Sequence, residues 1–157
     1  MAMSKWLWLS ALVVGLDQLS KWTAERLLAL HQPVPVLPFF NWTLRYNEGA
    51  AFSFLAQAGG WQRWFFLLLS LAISLGLIVW LTRLKADQRW LAAALALILG
   101  GAVGNLIDRA SYGHVIDFID LYYRDWHWPA FNVADSAITV GAVMLVIDSL
   151  VGKRVDQ

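Results

Sequence analysis

Long runs of apolar residues constrain this chain more than any other feature of its sequence. The stretches 64–81 and 90–107 are almost purely apolar, and 132–151 is interrupted only by Asp135 and Asp148. An α-helix rises about 1.5 Å per residue, so about 20 apolar residues cross the ~30 Å hydrocarbon core of a bilayer. These three runs therefore predict membrane-spanning helices.

The N-terminal segment is a shorter apolar run that ends in polar residues. Residues 6–16 are apolar, Asp17 follows, and the segment reaches spanning length only if its end near Trp22 lies at an interface. A cleaved signal peptide is the alternative, with Lys5 as its basic region, but no small-residue cleavage site follows the apolar core. We therefore expect one membrane domain over residues 1–157, with spans at about 6–23, 64–82, 90–107 and 132–151.

The composition agrees with a chain covered largely by lipid. Hydrophobic residues make up 59% and charged residues 15% of the sequence, whereas a soluble domain has about a quarter of its residues charged. The net charge is +1, and no basic stretch is interleaved with aromatic residues, so nucleic acid is not an expected partner. The sequence has no cysteine, which excludes thiol catalysis, disulfides and thiolate metal sites.

The short segments that flank the spans carry dense positive charge, and such charge marks the cytoplasmic side. We therefore expect both termini in the cytoplasm and the long loops, 24–63 and 108–131, on the outer face. The basic residues that support this orientation are Lys5, Arg83, Lys85, Arg89, Lys153 and Arg154. Asp148 lies near the last two and is interpreted as an interfacial charge.

The first outer loop contains signals for extended structure. Pro33, Pro35 and Pro38 disfavour helix, the stretch 40–46 is rich in β-forming residues, and a turn at 47–49 precedes the segment 49–55. These signals predict a small β-element on the outer face. The expected fold class is an all-α membrane protein with four transmembrane helices and a small extracytoplasmic β-element.

Polar residues of the spans and outer loops converge on the outer membrane face. Because polar groups in a membrane are costly, they mark a candidate functional site. The residues in question are Asp17, Asn47, Asn105, Asp108, Arg109, Asp117, Asp120, Asn132 and Asp135.

Asp117 and Asp135 are the strongest candidates for chemistry. Two carboxylates held close together cannot both ionise freely, so one of them keeps a proton. The ionised carboxylate can deprotonate a water molecule, and the protonated one can polarise a carbonyl and later protonate a leaving amine. This is the chemistry of aspartic proteases, which requires no metal or other cofactor.

Each carboxylate also has a purely structural interpretation. Asn132 and Asp135 have the spacing of a helix N-cap and its acidic third residue. Asp117 could be a solvated loop charge near Arg124. Two further pairings are an i,i+4 ion pair of Asp17 with Lys21 and a helix-end ion pair of Asp108 with Arg109.

Other catalytic classes have weaker support in the sequence. His31, His114 and His127 lack metal-ligand spacing. Ser111 or Ser136 could be paired with a histidine, but no GxSxG turn supports a serine nucleophile. The glycines of 100–104 form a small-residue face that serves either close helix packing or the docking of another helix.

Five motifs, taken in order, resemble those of one family. They are LDQLSK (16–21), NEGAAFSFL (47–55), GGAVGNLIDR (100–109), GHVIDFID (113–120) and FNVADSAI (131–138). In these motifs the chain resembles lipoprotein signal peptidase, also called signal peptidase II, a family of bacterial membrane aspartic peptidases. The resemblance covers nearly the whole chain.

The resemblance implies an activity and a set of site residues. The substrates would be prolipoproteins whose cysteine carries diacylglycerol, cut just before that cysteine, and the inhibitors would be globomycin-type cyclic peptides. The enzyme would lie in the bacterial inner membrane, in contact with its lipids, as a monomer and without a cofactor. The implied catalytic residues are Asp117 and Asp135, and the surrounding polar residues are Asp17, Asn47, Asn105, Arg109 and Asn132.

Two functions of other classes remain open at this point. A proton-conducting protein or small transporter would place acids through the membrane midplane, whereas these acids crowd one face. A non-catalytic membrane scaffold that packs the small-residue face of 100–104 against a partner helix would leave the polar cluster unexplained. A further hypothesis is that the outer β-element and the tryptophan-rich helix ends clamp the substrate from above.

Overall fold

Four helices and an antiparallel sheet form the part of the chain that the computed structural model describes, residues 3–49 and 61–152. Each helix covers one of the segments expected to span the membrane, to within one residue at the start of the last. The elements in chain order are α1 (Met3–Leu27), β1 (Val34–Leu37), β2 (Phe40–Asn47), α2 (Trp61–Arg83), α3 (Arg89–Ser111), β3 (Val115–Tyr123), β4 (Trp126–His127) and α4 (Val133–Gly152).

Within the described ranges, three helical stretches are long and apolar enough to cross a membrane. They are Arg63–Arg83, Arg89–Ser111 and Val133–Leu150. The first helix, α1, is 25 residues long but carries Asp17 and Lys21 in its second half, and it is not among the three. The chain is therefore a helical, multi-pass membrane protein with a small sheet.

The helix α3 is the centre of the bundle. Over half of its spanning stretch is buried, against 17% in α2 and in α4, and it packs against each of the other helices. A methyl group at Gly100 would lie 2.7 Å from the Cβ of Val13 in α1, and one at Gly141 would lie 2.6 Å from the carbonyl oxygen of Ala94. The glycine face thus serves close packing inside the chain, which was one of the two interpretations left open.

The sheet has the strand order β1-β2-β3-β4, with antiparallel neighbours. The predicted extended segment at 40–46 is confirmed as β2, and Pro35 lies in the edge strand β1, where a missing N–H is tolerated. The strand β3 lies in the segment 108–131 that was expected to be a loop, so that expectation was incomplete. Asp117 and Asp120 interrupt its apolar pattern, which hid a strand otherwise rich in β-branched and aromatic residues.

Part of the predicted β-element, residues 50–55, lies outside the described residues. The turn signal before it agrees with the structure, in which Gly49 N–H donates to the side-chain oxygen of Asn47 at 3.0 Å. The strands β2 and β3 align Arg45 with Asp117 and Asn47 with Val115. This register brings the end of β2 to the carboxylate of Asp117.

Candidate active site

The start of α4 is held by a reciprocal cap. The N–H of Asp135 donates to Oδ1 of Asn132 at 2.9 Å, and the N–H of Asn132 donates back to Oδ2 of Asp135 at 3.3 Å. The capping interpretation of this pair is therefore confirmed. Capping uses Oδ2 of Asp135, while Oδ1 accepts a 2.8 Å hydrogen bond from the side chain of Asn105. Asp135 thus both caps a helix and belongs to a polar network.

Asp117 is a buried carboxyl of β3 and not a solvated loop charge. It is 3% exposed and accepts hydrogen bonds from the side-chain amides of Asn132, at 2.8 Å, and Asn47, at 3.2 Å. The interpretation as a solvated charge near Arg124 was wrong, because Asp117 is buried and Arg124 lies instead over the ring of Tyr123. Burial and the nearby charge of Asp135 raise the pKa of Asp117 to about 7. Near neutral pH a large fraction of the protein molecules therefore carry a proton on this carboxyl group.

Asp117 and Asp135 line the same cavity, which has a volume of about 1140 Å³. Three other polar residues of the predicted site, Asn47, Asn105 and Arg109, line it as well. Apolar side chains line the cavity as well, so it can receive a polar group and an apolar chain together. The apolar part includes Leu121, Trp128, Phe131, Ile138 and Val140.

A second polar cluster joins α1 to α3 beside the cavity. The ammonium of Lys21 lies 2.7 Å from Asp17, 2.8 Å from Asp108 and 3.0 Å from the side-chain oxygen of Asn105. The predicted i,i+4 pair of Asp17 with Lys21 is confirmed, and both residues are buried. The expected pairing of Asp108 with Arg109 was wrong, because adjacent residues of a helix point in different directions and Asp108 faces α1.

Asp17 connects α1 to the start of α4. Its Oδ1 accepts the N–H of Ala134 at 2.9 Å. A methyl group at Gly104 would lie 2.5 Å from its Oδ2, so the glycine leaves the space that this carboxylate occupies. Asp17 does not line the cavity. Asp17 therefore lies beside the cavity and not in its lining, and it positions the start of α4.

Arg109 reaches two backbone carbonyls instead of a carboxylate. Its Nη2 donates to the oxygen of Gly49 at 3.0 Å, and Nη1 donates to the oxygen of Asn105 at 3.4 Å. The buried Nε has no hydrogen-bond partner among residues 3–49 and 61–152. An unpaired buried donor costs free energy, so this guanidinium is held in place at a cost by its contacts with Gly49 and Asn105.

Asp120 and His127 also line the cavity and pair with each other. Asp120 accepts from Asn41 at 2.9 Å and lies 2.8 Å from Nδ1 of His127. Ser136 donates to the carbonyl oxygen of Asn132, and in the described part of the chain no hydrogen bond joins a serine to a histidine. His114 instead packs against the ring of Tyr46. The serine–histidine alternative therefore gains no support.

The fold and the site define a helical membrane protein in which two carboxyl groups, held by amide donors, line one amphipathic cavity. Residues 9–151 match the family model described as signal peptidase (SPase) II. The chain belongs to the signal peptidase II family and is therefore a membrane peptidase.

Individual relatives agree with this assignment. Over 154 residues the chain is 56% identical to the lipoprotein signal peptidase of Pseudomonas syringae pv. tomato, covering 97% of this chain and 89% of the relative. It is 56% identical over 151 residues to the lipoprotein signal peptidase of Pseudomonas aeruginosa, covering 95% and 89%. Among solved structures, it is similar to a bacterial membrane enzyme studied by the in meso method at 2.3 Å, with a TM-score of 0.88, 29% identity and coverage of 98% of this chain and 92% of that chain.

Proposed function

We propose that this peptidase removes signal peptides from prolipoproteins whose cysteine carries diacylglycerol, and that it cuts the peptide bond just before that cysteine. Membership of the signal peptidase II family and relatives named lipoprotein signal peptidase support the substrate class. The observation that carries the mechanism is the placement of Asp117 and Asp135 in one cavity, each with a side-chain amide donor. The two carboxyl groups act as an aspartate dyad with an activated water.

Asp117 is the member of the dyad that holds the proton in the resting enzyme. Its raised pKa, about 7, favours the protonated form. Asp135 lies in the first turn of α4 and accepts the backbone N–H of Asn132. A helix N-terminus and a backbone donor both favour negative charge, and we therefore assign the negative charge of the dyad to Asp135.

The reaction follows from this distribution of protons. Asp135 takes a proton from water while the water oxygen attacks the carbonyl carbon, and Asp117 gives its proton to the carbonyl oxygen. In the resulting gem-diol, Asp135 returns its proton to the amide nitrogen and the carbon–nitrogen bond breaks. Asp117 recovers a proton from a gem-diol hydroxyl as the new carboxyl group forms. The dyad is thereby restored for the next cycle.

Five polar residues support this chemistry. Asn132 and Asn47 orient Asp117, and Asn105 orients Asp135. Arg109 lines the cavity with positive charge, which suits the developing oxyanion. Asp17 positions α4 through the backbone of Ala134.

The proposed topology has α1 as a fourth span. Asp17 and Lys21 interrupt its apolar pattern, but both are buried against neighbouring helices and do not meet lipid. Positive charge in short flanking segments favours both termini in the cytoplasm. The enzyme then lies in the bacterial inner membrane with its cavity at the outer face.

This location suits the proposed substrate. Acyl chains can stay in the lipid while the peptide bond enters the cavity from the bilayer plane, where its apolar wall meets its polar lining. Globomycin-type cyclic peptides would compete for the same cavity. Both carboxyl groups and all their amide donors come from one chain, which supports a monomer as the active unit.

The test is cleavage of a diacylglyceryl-modified prolipoprotein by the purified protein in detergent. Asp117→Asn and Asp135→Asn are each expected to lower cleavage to the background rate while the protein still folds. Asp148→Asn is the matched control, because Asp148 lies 13 residues after Asp135 on α4, about 20 Å along the helix. Wild-type cleavage by either dyad variant would disprove the assignment, and the same cleavage of the precursor without its lipid would disprove the substrate class.

A further inference from the structure

Lys21 is one hydrogen bond further from the dyad than Asn105 and is not part of the mechanism above. We propose that Lys21 is a positioning residue, which holds the side-chain amide of Asn105 with its nitrogen toward Asp135. The inference rests on the proposed role of Asp135 in the dyad. It assigns a catalytic consequence to a buried ion pair that would otherwise serve only to join helices.

A continuous path of two hydrogen bonds carries the inference. Nζ of Lys21 donates to Oδ1 of Asn105 at 3.0 Å, and Nδ2 of Asn105 donates to Oδ1 of Asp135 at 2.8 Å. An ammonium group has only donors, whereas an amide has an acceptor at one end and donors at the other. The amide oxygen must therefore face Lys21, and the amide nitrogen then faces the carboxylate.

The same path shows what the absence of Lys21 would allow. A flipped Asn105 would present its oxygen to Asp135, and two acceptors would then face each other. Asn132 also donates to Oδ1 of Asn105, but at 3.3 Å and from a neutral amide whose main acceptor is Asp117 at 2.8 Å. The charged and shorter contact from Lys21 is the stronger constraint.

The surroundings of Lys21 aim its third donor at Asn105. The ammonium has three N–H groups, and its three partners are Asp17 at 2.7 Å, Asp108 at 2.8 Å and Asn105 at 3.0 Å. The side chains of the three charged residues are at most 2% exposed. Two carboxylates therefore hold the buried ammonium, and the third partner within hydrogen-bond distance is the amide oxygen of Asn105.

A purely structural role predicts different behaviour. Removal of Lys21 alone leaves two buried carboxylates without their cation, which destabilises a protein whatever the catalytic role of the lysine. A variant that also removes the charge of Asp108 restores the original charge balance of the cluster. If Lys21 serves only as a counter-ion, that balanced variant recovers both stability and activity.

The experiment compares three full-length variants with the wild type in the same lipoprotein cleavage assay. Lys21→Met removes the charge and the donor. Lys21→Met/Asp108→Asn keeps the net charge of the cluster but still lacks the donor. Lys21→Arg keeps both charge and donors, and a cavity of about 320 Å³ lined by Lys21 gives space for the larger group.

The expected results separate catalysis from folding. The balanced variant should unfold at a higher temperature than Lys21→Met, yet its kcat should stay at least about tenfold below the wild type, since the hydrogen bond from the charged donor to Asn105 is lost. Its KM should change by less than about threefold, because Lys21 does not line the catalytic cavity. Lys21→Arg should recover most of kcat.

Several outcomes would overturn the inference. Wild-type kcat in the balanced variant would reduce Lys21 to a counter-ion, and failure of both the balanced variant and Lys21→Arg to fold would assign it to folding. Asp117→Asn and Asp135→Asn belong in the same assay. If Asp117→Asn or Asp135→Asn still cleaves, the proposed dyad is wrong whatever the role of Lys21. If both are inactive while the balanced variant matches the wild type, the dyad stands and only the proposed role of Lys21 is wrong.

Discussion

Asn132 donates a 2.8 Å hydrogen bond from its side-chain nitrogen to Asp117. Through its side-chain oxygen and backbone N–H the same residue caps α4 at Asp135. One asparagine therefore fixes both carboxyl groups, one from a strand and one from a helix, and sets their relative position. Because all three groups of Asn132 are in use, substitutions can separate its two roles.

Asn132→Ser should keep the cap and lose the catalytic contact. A serine side chain caps a helix about as well as asparagine but does not extend far enough to reach Asp117. We expect Asn132→Ser to unfold at a temperature between those of Asn132→Ala and the wild type, because the cap stays while the buried contacts of the amide with Asp117 and with the carbonyl of Ile116 are lost. Cleavage should fall by at least about tenfold, since a buried hydrogen bond to Asp117 is gone. Thermal unfolding in detergent and prolipoprotein cleavage measure the two effects.

Asn132→Ala is the control for this separation. Alanine removes the cap as well, which costs about 1 kcal/mol, so this variant should be less stable than Asn132→Ser and no more active. Equal stability of the two variants would show that the cap contributes nothing. Full activity in Asn132→Ser would show that the contact with Asp117 is dispensable.

Asp117→Asn should make the protein more stable at alkaline pH. The pKa of Asp117 is about 7 in the fold, against an ordinary value of 3.8, so between these two pH values the folded state binds a proton that the unfolded state releases. The contribution of Asp117 to the free energy of unfolding is fully present below about pH 4. It is lost as the pH rises through 7, and the loss is roughly 4 kcal/mol at most. Asparagine does not titrate, so the stability of the variant relative to the wild type should increase from pH 5 to pH 8.

Thermal unfolding of both proteins at about pH 5 and pH 8 tests this expectation. The quantity compared is the difference in unfolding temperature between Asp117→Asn and the wild type, measured at each pH. Any constant effect of the substitution on packing cancels when the two pH values are compared. A difference that does not change with pH would place the pKa of Asp117 near its ordinary value. The proton would then have to reside elsewhere in the resting dyad.

The pH dependence of cleavage should reveal the role of Asp117. If Asp117 must be protonated, kcat/KM falls as pH rises through about 7, tenfold per unit well above it. The measurement is kcat/KM of the wild type from about pH 5 to 9, because this ratio reports the free enzyme. A ratio that instead rises through pH 7 would make Asp117 the base and Asp135 the acid.

The four helices and the start of α4 could be predicted from the sequence because their signals are local. Apolar runs mark the helices, and the cap spacing of Asn132 and Asp135 is visible along the chain. The strand β3 was missed because Asp117 and Asp120 break its apolar pattern. Their polarity is explained only by partners on other elements, such as Asn41 on β2.

The second polar cluster could not be predicted for a related reason. The sequence shows that Asp17 and Lys21 are spaced for an ion pair, but it does not show that this side of α1 faces Asp108 and Asn105 on α3. Arg63 is a further example: it donates to the last carbonyls of α3, those of residues 109 and 110, from the start of α2. Which helix faces which is decided by packing of the whole bundle.

Gly104→Ala should disrupt the junction of α1, α3 and α4. The added methyl group would lie 2.5 Å from Oδ2 and 3.2 Å from Cγ of Asp17, whose other oxygen holds the N–H of Ala134. Overpacking in a dense interior costs about 1–3 kcal/mol, and Asp17 cannot move away without loosening the start of α4. We expect a lower unfolding temperature and reduced cleavage.

Gly76→Ala is the matched control, since a methyl group at Gly76 on α2 meets no atom within 4 Å. Alanine is favoured over glycine in a helix by about 1 kcal/mol, so this variant should unfold at or above the wild-type temperature with normal cleavage. The two substitutions are chemically identical and differ only in what the methyl group meets. Equal stability of Gly104→Ala and Gly76→Ala would mean that Asp17 is not held against α3 as closely as its distances indicate.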